Sequence, residues 1–172
     1  TETGVKNLSN LMKLGFHIIV TAPAPEVWRQ SVKKSFLMGN YLLGPEIALY
    51  SSLPQIAIKY NLNLIFWGES PASVWNDKKT KKKLGYDGNA LRYSNTLKNC
   101  DVSWMKSFIK NKSQLIPYLY PSHKDFKKNK LQIVYLGWFW KNWTFLTNAK
   151  YSCLNGLEIK EDDVSKSGDL YG

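Results

Sequence analysis

The sequence predicts an α/β fold in which a parallel sheet is flanked by helices. Residues 62–67 form an apolar run of strand length that ends at Gly68, and residues 131–136 repeat this pattern and end at Gly137. Apolar runs bounded by such turn signals are typical of strands buried on both faces in a parallel sheet. Segments with helical periodicity precede and separate the strands, as expected when helices cover the sheet.

The length and the ends of the chain indicate one incomplete domain. The chain has 172 residues, of which 44% are hydrophobic, so it is long enough for a single core. Because it lacks an initial methionine and stops abruptly, we expect residues 1–172 to form a single partial α/β domain, truncated at both ends.

Composition excludes several classes of protein. No apolar window approaches the length of a membrane span, and no signal peptide is visible at the start, so we expect a cytoplasmic protein without a membrane span. The two cysteines, Cys100 and Cys153, do not form a CxxC motif and fit a reducing compartment; we predict no metal site. The net charge of +11 favours anionic partners, namely nucleotides, nucleic acid, sugar phosphates, nucleotide-linked sugars or an acidic membrane surface.

The first third of the chain predicts a helix, a strand and a second helix. Apolar residues recur at helical spacing from Val5 onwards, and Gly15 is a C-cap signal for this helix. Residues 16–20 then predict a strand, in which His17 is a packed or edge residue. The second helix covers residues 25–38, because a proline suits its first turn.

Within this second helix, Trp28, Val32 and Phe36 recur at positions i, i+4 and i+8. We expect Lys33 and Lys34 on its solvent-facing side. The three apolar residues therefore form one stripe along the helix, separate from the solvent-facing side that carries the two lysines.

The next segment predicts a break followed by a short helix. Gly39 and residues 44–45 (Gly-Pro) indicate a connection, and Ser51 or Ser52 then caps a helix that has Pro54 in its first turn. The strand of residues 62–67 follows this helix. Further along, residues 104–109 suggest another helix.

Two basic clusters lie between residue 77 and residue 130. One is residues 77–83, and the other comprises Lys124, Lys127, Lys128 and Lys130. The lysines of residues 77–83 are interpreted either as a solvated loop or helix face, or as a flexible lid or an anion-attracting rim beside the strand-end site. The two clusters and their neighbouring aromatic residues imitate a nucleic-acid surface, but no recognised nucleic-acid-binding motif accompanies them, so nucleic acid is an unlikely partner.

The ends of the apolar strands are the first place to look for chemistry. Open α/β sheets bind ligands at the carboxyl ends of their strands. Residues 67–70, Trp-Gly-Glu-Ser, follow one such strand, where the glycine allows close approach of the backbone to a ligand and Glu69 offers a carboxylate. The local signatures GxGxxG, Walker A, HExxH and GxSxG are absent, and the spacing of the cysteines and histidines does not favour a Cys/His nucleophile.

Several segments, in order, resemble a known family. They are residues 1–8 (TETGVKNL), 25–27 (PEV), 34–36 (KSF), 56–60 (IAIKY), 67–72 (WGESPA) and 136–137 (LG). This series resembles the N-acetyl sugar amidotransferases of bacterial surface-polysaccharide biosynthesis, which belong to the PP-loop ATP pyrophosphatase superfamily. The resemblance spans nearly the whole chain, and its most specific parts are residues 1–8 and 67–72.

The resemblance implies an adenine-nucleotide α-hydrolase-like fold and a use of ATP and Mg²⁺. ATP would adenylate an acetamido group on an anionic sugar substrate, and ammonia from a separate glutaminase subunit would then displace AMP and leave an acetamidino group. The chain departs from the family in that the SGGxDS phosphate loop is absent from these residues. Without it we do not expect the chain to hydrolyse ATP unaided.

The predicted site residues follow from these patterns and the resemblance. Glu69 is the candidate catalytic residue, as a ligand of Mg²⁺, a substrate amine or ammonia. The candidate nucleotide- and substrate-binding residues are Glu2, Thr3, Lys6, Gly68, Ser70, Asp87 and Arg92. Two other functions stay open: a basic RNA-binding or tRNA-modifying relative, and a non-catalytic fragment that docks onto a partner.

Overall fold

The computed structural model describes residues 2–68, 86–93, 97–139 and 144–158. Contacts between Cα atoms group the chain into two compact units. The first unit joins Thr1–Val20 to Gly137–Gly172, and the second is Thr21–Leu136. Within the described part of the chain, none of the helices combines the length and the apolar character that crossing a membrane requires.

Helices dominate both units. The α-helices are α1 Glu2–Lys13, α2 Pro25–Leu37, α3 Leu43–Lys59, α4 Gly88–Leu91, α5 His123–Asn129, α6 Leu136–Phe139 and α7 Phe145–Leu154. Three 3₁₀ helices cover Lys98–Cys100, Ser103–Ser107 and Lys112–Tyr118. The strands are β1 Leu64–Trp67, β2 Tyr86–Asp87 and β3 Gln132–Tyr135.

The strands form one small sheet in the order β1-β3-β2. Strands β1 and β3 are parallel, with Leu64 opposite Gln132 and Trp67 opposite Tyr135. Strand β2 pairs with β3 in the antiparallel direction. The prediction of a parallel pair flanked by helices is therefore confirmed, and β2 adds a short antiparallel edge that the sequence did not predict.

The prediction that β1 is buried on both faces is wrong. Ile65 and Trp67 are buried, while Leu64 and Phe66 are exposed. Successive side chains of a strand point to opposite faces, and only one face of β1 meets the core of the described residues. An apolar run therefore does not establish that a strand is covered on both sides.

Helix α2 is formed as predicted, but it packs on a different face. Its buried residues are Val27, Ser31 and Ser35, and this face lies against α3. The approach is close: a Cβ added at Gly44 of α3 would lie 2.8 Å from Ser31 Oγ. Because Gly44 and Ser31 are small, the two helices can pack this closely.

Helix α3 is one continuous helix, so the predicted break at residues 44–45 and the predicted cap at Ser51 or Ser52 are wrong. Residues 44–45 lie in its first turn, where a proline needs no N–H partner. Ser52 Oγ instead donates to the Leu49 carbonyl at 2.9 Å. Ser51 Oγ donates to the Tyr118 carbonyl at 3.3 Å, which ties α3 to the third 3₁₀ helix.

Two other predicted elements differ from the structure. Residues 16–20 form no strand, because the structure pairs no neighbouring strand with them in the described chain. The helix expected at 104–109 is the 3₁₀ helix Ser103–Ser107. Both errors arise because an apolar run does not specify its hydrogen-bonding partner.

The core of the second unit lies between the sheet and the helices. Its members are Val27, Leu43, Ile47, Ala48, Tyr50, Ala57, Ile65, Trp67, Leu91, Leu97, Met105, Tyr118, Phe126, Leu131, Ile133 and Tyr135. The first unit is held together differently. The Asn7 amide exchanges two hydrogen bonds with the Glu158 backbone, at 2.9 and 2.7 Å, and Asn10 Nδ2 donates to the Asn155 carbonyl at 2.8 Å.

Candidate functional site

The carboxyl ends of β1 and β3 lie side by side at one edge of the sheet. Trp67 and Tyr135 are paired there by the strand register. The Trp67 ring stacks on Tyr50 of α3, with centroids 4.8 Å apart and planes 6° from parallel. This aromatic pair fixes the position from which the chain leaves β1.

Gly68, the first residue beyond β1, lies at this edge in open space. A Cβ built on Gly68 would meet none of the described atoms within 4 Å, and its backbone does not have the positive φ that favours glycine. Folding of the described residues therefore does not explain a glycine here. The close approach of a ligand, predicted from the sequence, is compatible with this geometry.

The other predicted residues near Gly68 are only partly placed. Glu69, Ser70 and the lysine run of residues 77–83 lie outside the described residues. Asp87 pairs with Gln132, the first residue of β3. Because a strand rises about 3.3 Å per residue, Asp87 lies about 10 Å along the strand direction from the carboxyl edge.

Glu2, Thr3 and Lys6 lie in α1, within the first unit. Lys6 Nζ is 3.2 Å from a Glu2 carboxylate oxygen and 3.6 Å from a Glu158 carboxylate oxygen. Both ion pairs are solvent-exposed, so they contribute little to stability. These three predicted residues thus belong to a helix whose polar side chains contact the end of α7.

Arg92 is half-buried and engaged with the protein itself. Its Nη2 donates to the Pro121 carbonyl, and its guanidinium lies over the Tyr120 ring, 5.2 Å from the centroid. An arginine stacked on an aromatic ring and bonded to a carbonyl is held in a fixed orientation. The structure therefore places Arg92 as an anchor between α4 and the segment before α5.

A polar cluster that the sequence analysis missed lies next to Arg92. His123, the first residue of α5, is bonded on both ring nitrogens: Asn89 Nδ2 lies 2.5 Å from Nδ1, and Tyr93 Oη lies 2.9 Å from Nε2. Asn89 and Tyr93 lie 34 and 30 positions before His123 in the sequence. No local motif therefore could have revealed the cluster.

The hydrogen bonds of this cluster determine what His123 can do. Asn89 Nδ2 can only donate, so Nδ1 of His123 accepts. A neutral imidazole then carries its proton on Nε2 and donates it to the Tyr93 oxygen. In this tautomer His123 orients the Tyr93 hydroxyl.

The two cysteines differ in their environment. Burial raises the pKa of the Cys100 thiol to about 12, an effect that Arg92 opposes only in part. Because the thiolate is the nucleophile, Cys100 is inert near neutral pH. Cys153 is an exposed free thiol.

Only part of the Mg²⁺ and ATP site that the family resemblance implies falls within the described residues. Among them, no group of three or more His, Cys, Asp and Glu side chains is arranged to hold a metal ion. Mg²⁺ is bound by oxygen ligands together with substrate phosphates. Asp87 lies toward the amino end of the parallel pair, and Glu69 lies outside the described residues.

The second basic cluster is solvent-exposed. Lys124, Lys127 and Lys128 of α5 and Lys130, its left-handed C-cap with φ +47°, are all exposed. These four lysines lie close together in sequence, in the short helix α5 and at its C-cap, just before β3.

Comparison with known proteins adds no assignment: no protein-family model matches the chain, and no curated protein sequence matches it significantly.

Proposed function

We propose that the chain forms part of an ATP-dependent amidotransferase of the adenine-nucleotide α-hydrolase-like class. The enzyme would convert an acetamido group of a nucleotide- or lipid-linked sugar to an acetamidino group, in lipopolysaccharide, O-antigen or related glycan biosynthesis. A glutaminase subunit would supply the ammonia. The ordered sequence resemblance motivates this proposal.

One structural observation supports it most directly. The parallel strands β1 and β3 end together at Trp67 and Tyr135, and the segment Gly68-Glu69-Ser70 leaves β1 at this edge. Ligands of open α/β sheets bind at the carboxyl ends of parallel strands. The open space around Gly68 and the net charge of +11 also suit an anionic ligand.

The test is equilibrium binding of UDP-N-acetylglucosamine to the full chain, measured by isothermal titration calorimetry. We expect Glu69→Gln to weaken binding by about tenfold or more, because a charge-assisted hydrogen bond is lost. Gly68→Ala should also weaken binding while leaving the melting temperature unchanged, since a Cβ built at Gly68 meets none of the described atoms within 4 Å.

The matched control is Glu26→Gln, which removes an exposed carboxylate in α2. It should bind the nucleotide sugar as tightly as the wild type. Equal binding by the wild type, Gly68→Ala and Glu69→Gln would refute the proposed site. Failure of the wild type to bind would refute nucleotide-sugar recognition by this chain.

A second candidate function is RNA binding, favoured by the exposed lysine patch of α5. Each phosphate contact lowers the slope of log affinity against log salt by about 0.7 to 0.9. If RNA binds here, Lys127→Glu with Lys128→Glu should weaken binding. The slope of log affinity against log salt should also become shallower, by the amount expected for about two phosphate contacts. Nucleotide-sugar binding should not change in this double variant, which separates the two functions.

A further inference from the structure

Helix α2 presents large apolar side chains to solvent, while its buried face consists of Val27 and two serines. Trp28 and Phe36 of the apolar stripe are exposed, whereas Ser31 and Ser35 are fully buried against α3. A helix of a water-soluble core normally shows the reverse arrangement. Close packing through small residues, with large apolar side chains on the outside, resembles helix contacts in an apolar medium.

The exposed apolar surface continues around the turn between α2 and α3. Phe36 is 67% exposed and Leu37 is 71% exposed, and Met38, Tyr41 and Leu42 are exposed as well. The sequence carries no charged residue from position 35 to position 45. We call this surface the α2–α3 tip, and define it as residues 36–42. Contiguous exposed apolar surface of this kind marks an interaction site.

The backbone of the tip is internally hydrogen-bonded. Gly39, with φ +80°, ends α2 in a Schellman arrangement: its N–H donates to the Phe36 carbonyl and the Asn40 N–H donates to the Ser35 carbonyl, each at 2.9 Å. The Leu43 N–H donates to the Asn40 carbonyl at 3.1 Å. The Tyr41 carbonyl accepts from Ser35 Oγ at 3.1 Å. A turn that supplies these partners from within loses little when it leaves water.

Cationic side chains border the tip. Arg29 and Lys33 line an open groove of about 670 Å³ together with Trp28, Val32, Phe36 and Tyr41. Lys34, next along α2, is also exposed. Arg29 is paired with Glu26 at 2.9 Å, so the two lysines supply the net positive charge of this surface. Long basic side chains can keep their charge at a polar boundary while their stems cover apolar surface.

We propose that the α2–α3 tip inserts into the interfacial layer of an anionic membrane, with Lys33 and Lys34 contacting lipid phosphates. The apolar tip matches the acyl boundary, and the lysines match negative headgroups. A second copy of this chain is a poorer occupant, because a symmetric interface would bring the same lysines together on two chains that each carry +11. The proposal is independent of the amidotransferase function.

The test is sedimentation of the full chain with vesicles. Wild-type protein should bind vesicles of phosphatidylcholine mixed with phosphatidylserine. It should bind vesicles of phosphatidylcholine alone much more weakly. Phe36→Ser with Leu37→Ser should weaken binding to mixed vesicles by roughly tenfold or more per side chain, since apolar burial is lost. Lys33→Gln with Lys34→Gln should weaken it by about fivefold per lysine, and only when phosphatidylserine is present.

Matched controls come from exposed residues elsewhere. Leu154→Ser removes an exposed leucine, and Lys127→Gln with Lys128→Gln removes two exposed lysines of α5. These controls should bind the mixed vesicles like the wild type. Loss of binding in the controls equal to that in the tip variants would overturn the proposal, as would a wild type that binds neither kind of vesicle.

A fluorescence measurement tests insertion directly. An environment-sensitive dye on Met38→Cys, in a Cys153→Ser background, should shift to shorter wavelength with mixed vesicles, whereas the same dye on Leu154→Cys should not shift. No shift at position 38 would overturn insertion. A dimer of the vesicle-free wild type that is lost in Phe36→Ser with Leu37→Ser would instead assign the surface to a second copy of the chain.

Discussion

Helices α2 and α5 each carry a phenylalanine close to a pair of lysines, and they use it in opposite ways. Phe126 of α5 is only 3% exposed and lies against Tyr120, with ring centroids 5.4 Å apart. Phe36 of α2 is 67% exposed. The local sequences look similar, so the difference comes from the neighbours that each helix meets.

The neighbours differ in size and shape. The buried face of α2 is built from Val27 and two serines against Gly44, which brings two backbones close together. Helix α5 places its one large apolar residue into the core of the second unit. Spacing predicts which side chains share a helix face, but a close backbone contact can bury a face that spacing would assign to solvent.

The largest expected effect comes from replacing the two phenylalanines. Phe126→Ala should lower the free energy of unfolding by about 3–5 kcal/mol, because it removes buried contacts and leaves a cavity. Phe36→Ala should change it by no more than about 0.5 kcal/mol, because little of its surface is buried. Urea denaturation followed by circular dichroism measures both values, and similar losses in the two variants would contradict the comparison.

The second-largest effect on stability is expected at the contact between α2 and α3. Gly44→Ala should cost about 1–3 kcal/mol, because the new Cβ would lie 2.8 Å from Ser31 Oγ and 3.0 Å from Ser31 Cβ. Thermal and urea unfolding measure this loss. In a Ser31→Gly background the cost of Gly44→Ala should shrink, since both crowding atoms are then gone.

Gly68→Ala is the control for this substitution. A Cβ at Gly68 meets no described atom within 4 Å, so its unfolding free energy should stay close to that of the wild type. A loss at Gly44 that is unchanged by Ser31→Gly would mean that crowding by Ser31 is not the cause.

The two helices also begin differently. Ser122 caps α5 in a reciprocal arrangement with Asp125, whereas Ala24 precedes α2 without a side-chain cap. Ser122→Ala should destabilise the protein by about 1 kcal/mol, and Ala24→Ser should stabilise it by a smaller amount, because a serine there can accept from a free N–H of the first turn. Changes of the same sign in these two variants would contradict this assignment.

Local patterns predicted much of the fold. Periodicity identified α1, α2 and the strands β1 and β3, and the parallel pairing followed from the alternation of strands with helices. These features depend on the spacing of apolar residues and on the order of the segments along the chain. The errors at residues 16–20 and in the start of α3 arose where the outcome depended on a partner segment rather than on the local pattern.

The site was less predictable than the fold. Gly68 lies at the carboxyl edge of β1, as the strand pattern indicates, but Asp87 lies toward the other end because β2 runs antiparallel to β3. The pairing of His123 with Asn89 and Tyr93 was not visible, since tertiary packing joins residues that are far apart in sequence. Side chains that meet only through packing leave no spacing to detect.

The smallest expected effect concerns pH and the acidic residue in the first turn of each helix. Hydrogen bonds from the Ser122 side chain and backbone lower the pKa of Asp125. Hydrogen bonds from Arg29 and Gln30 lower the pKa of Glu26. A lowered pKa in the folded state contributes stability that is present above the unfolded pKa of about 4 and is lost as pH falls through the folded pKa.

Asp125→Asn and Glu26→Gln should therefore each reduce the loss of stability on acidification, relative to the wild type. Ionic strength should affect the contributions of Glu26 in α2 and Asp125 in α5 differently. Glu26 depends on an exposed ion pair with Arg29, so its contribution should fade at high ionic strength, whereas Asp125 accepts from an uncharged serine and its contribution should persist. Urea unfolding across this pH range, at low and high salt, measures both contributions. Equal salt sensitivity would mean that Asp125 acts mainly through the lysines of α5 rather than through its cap.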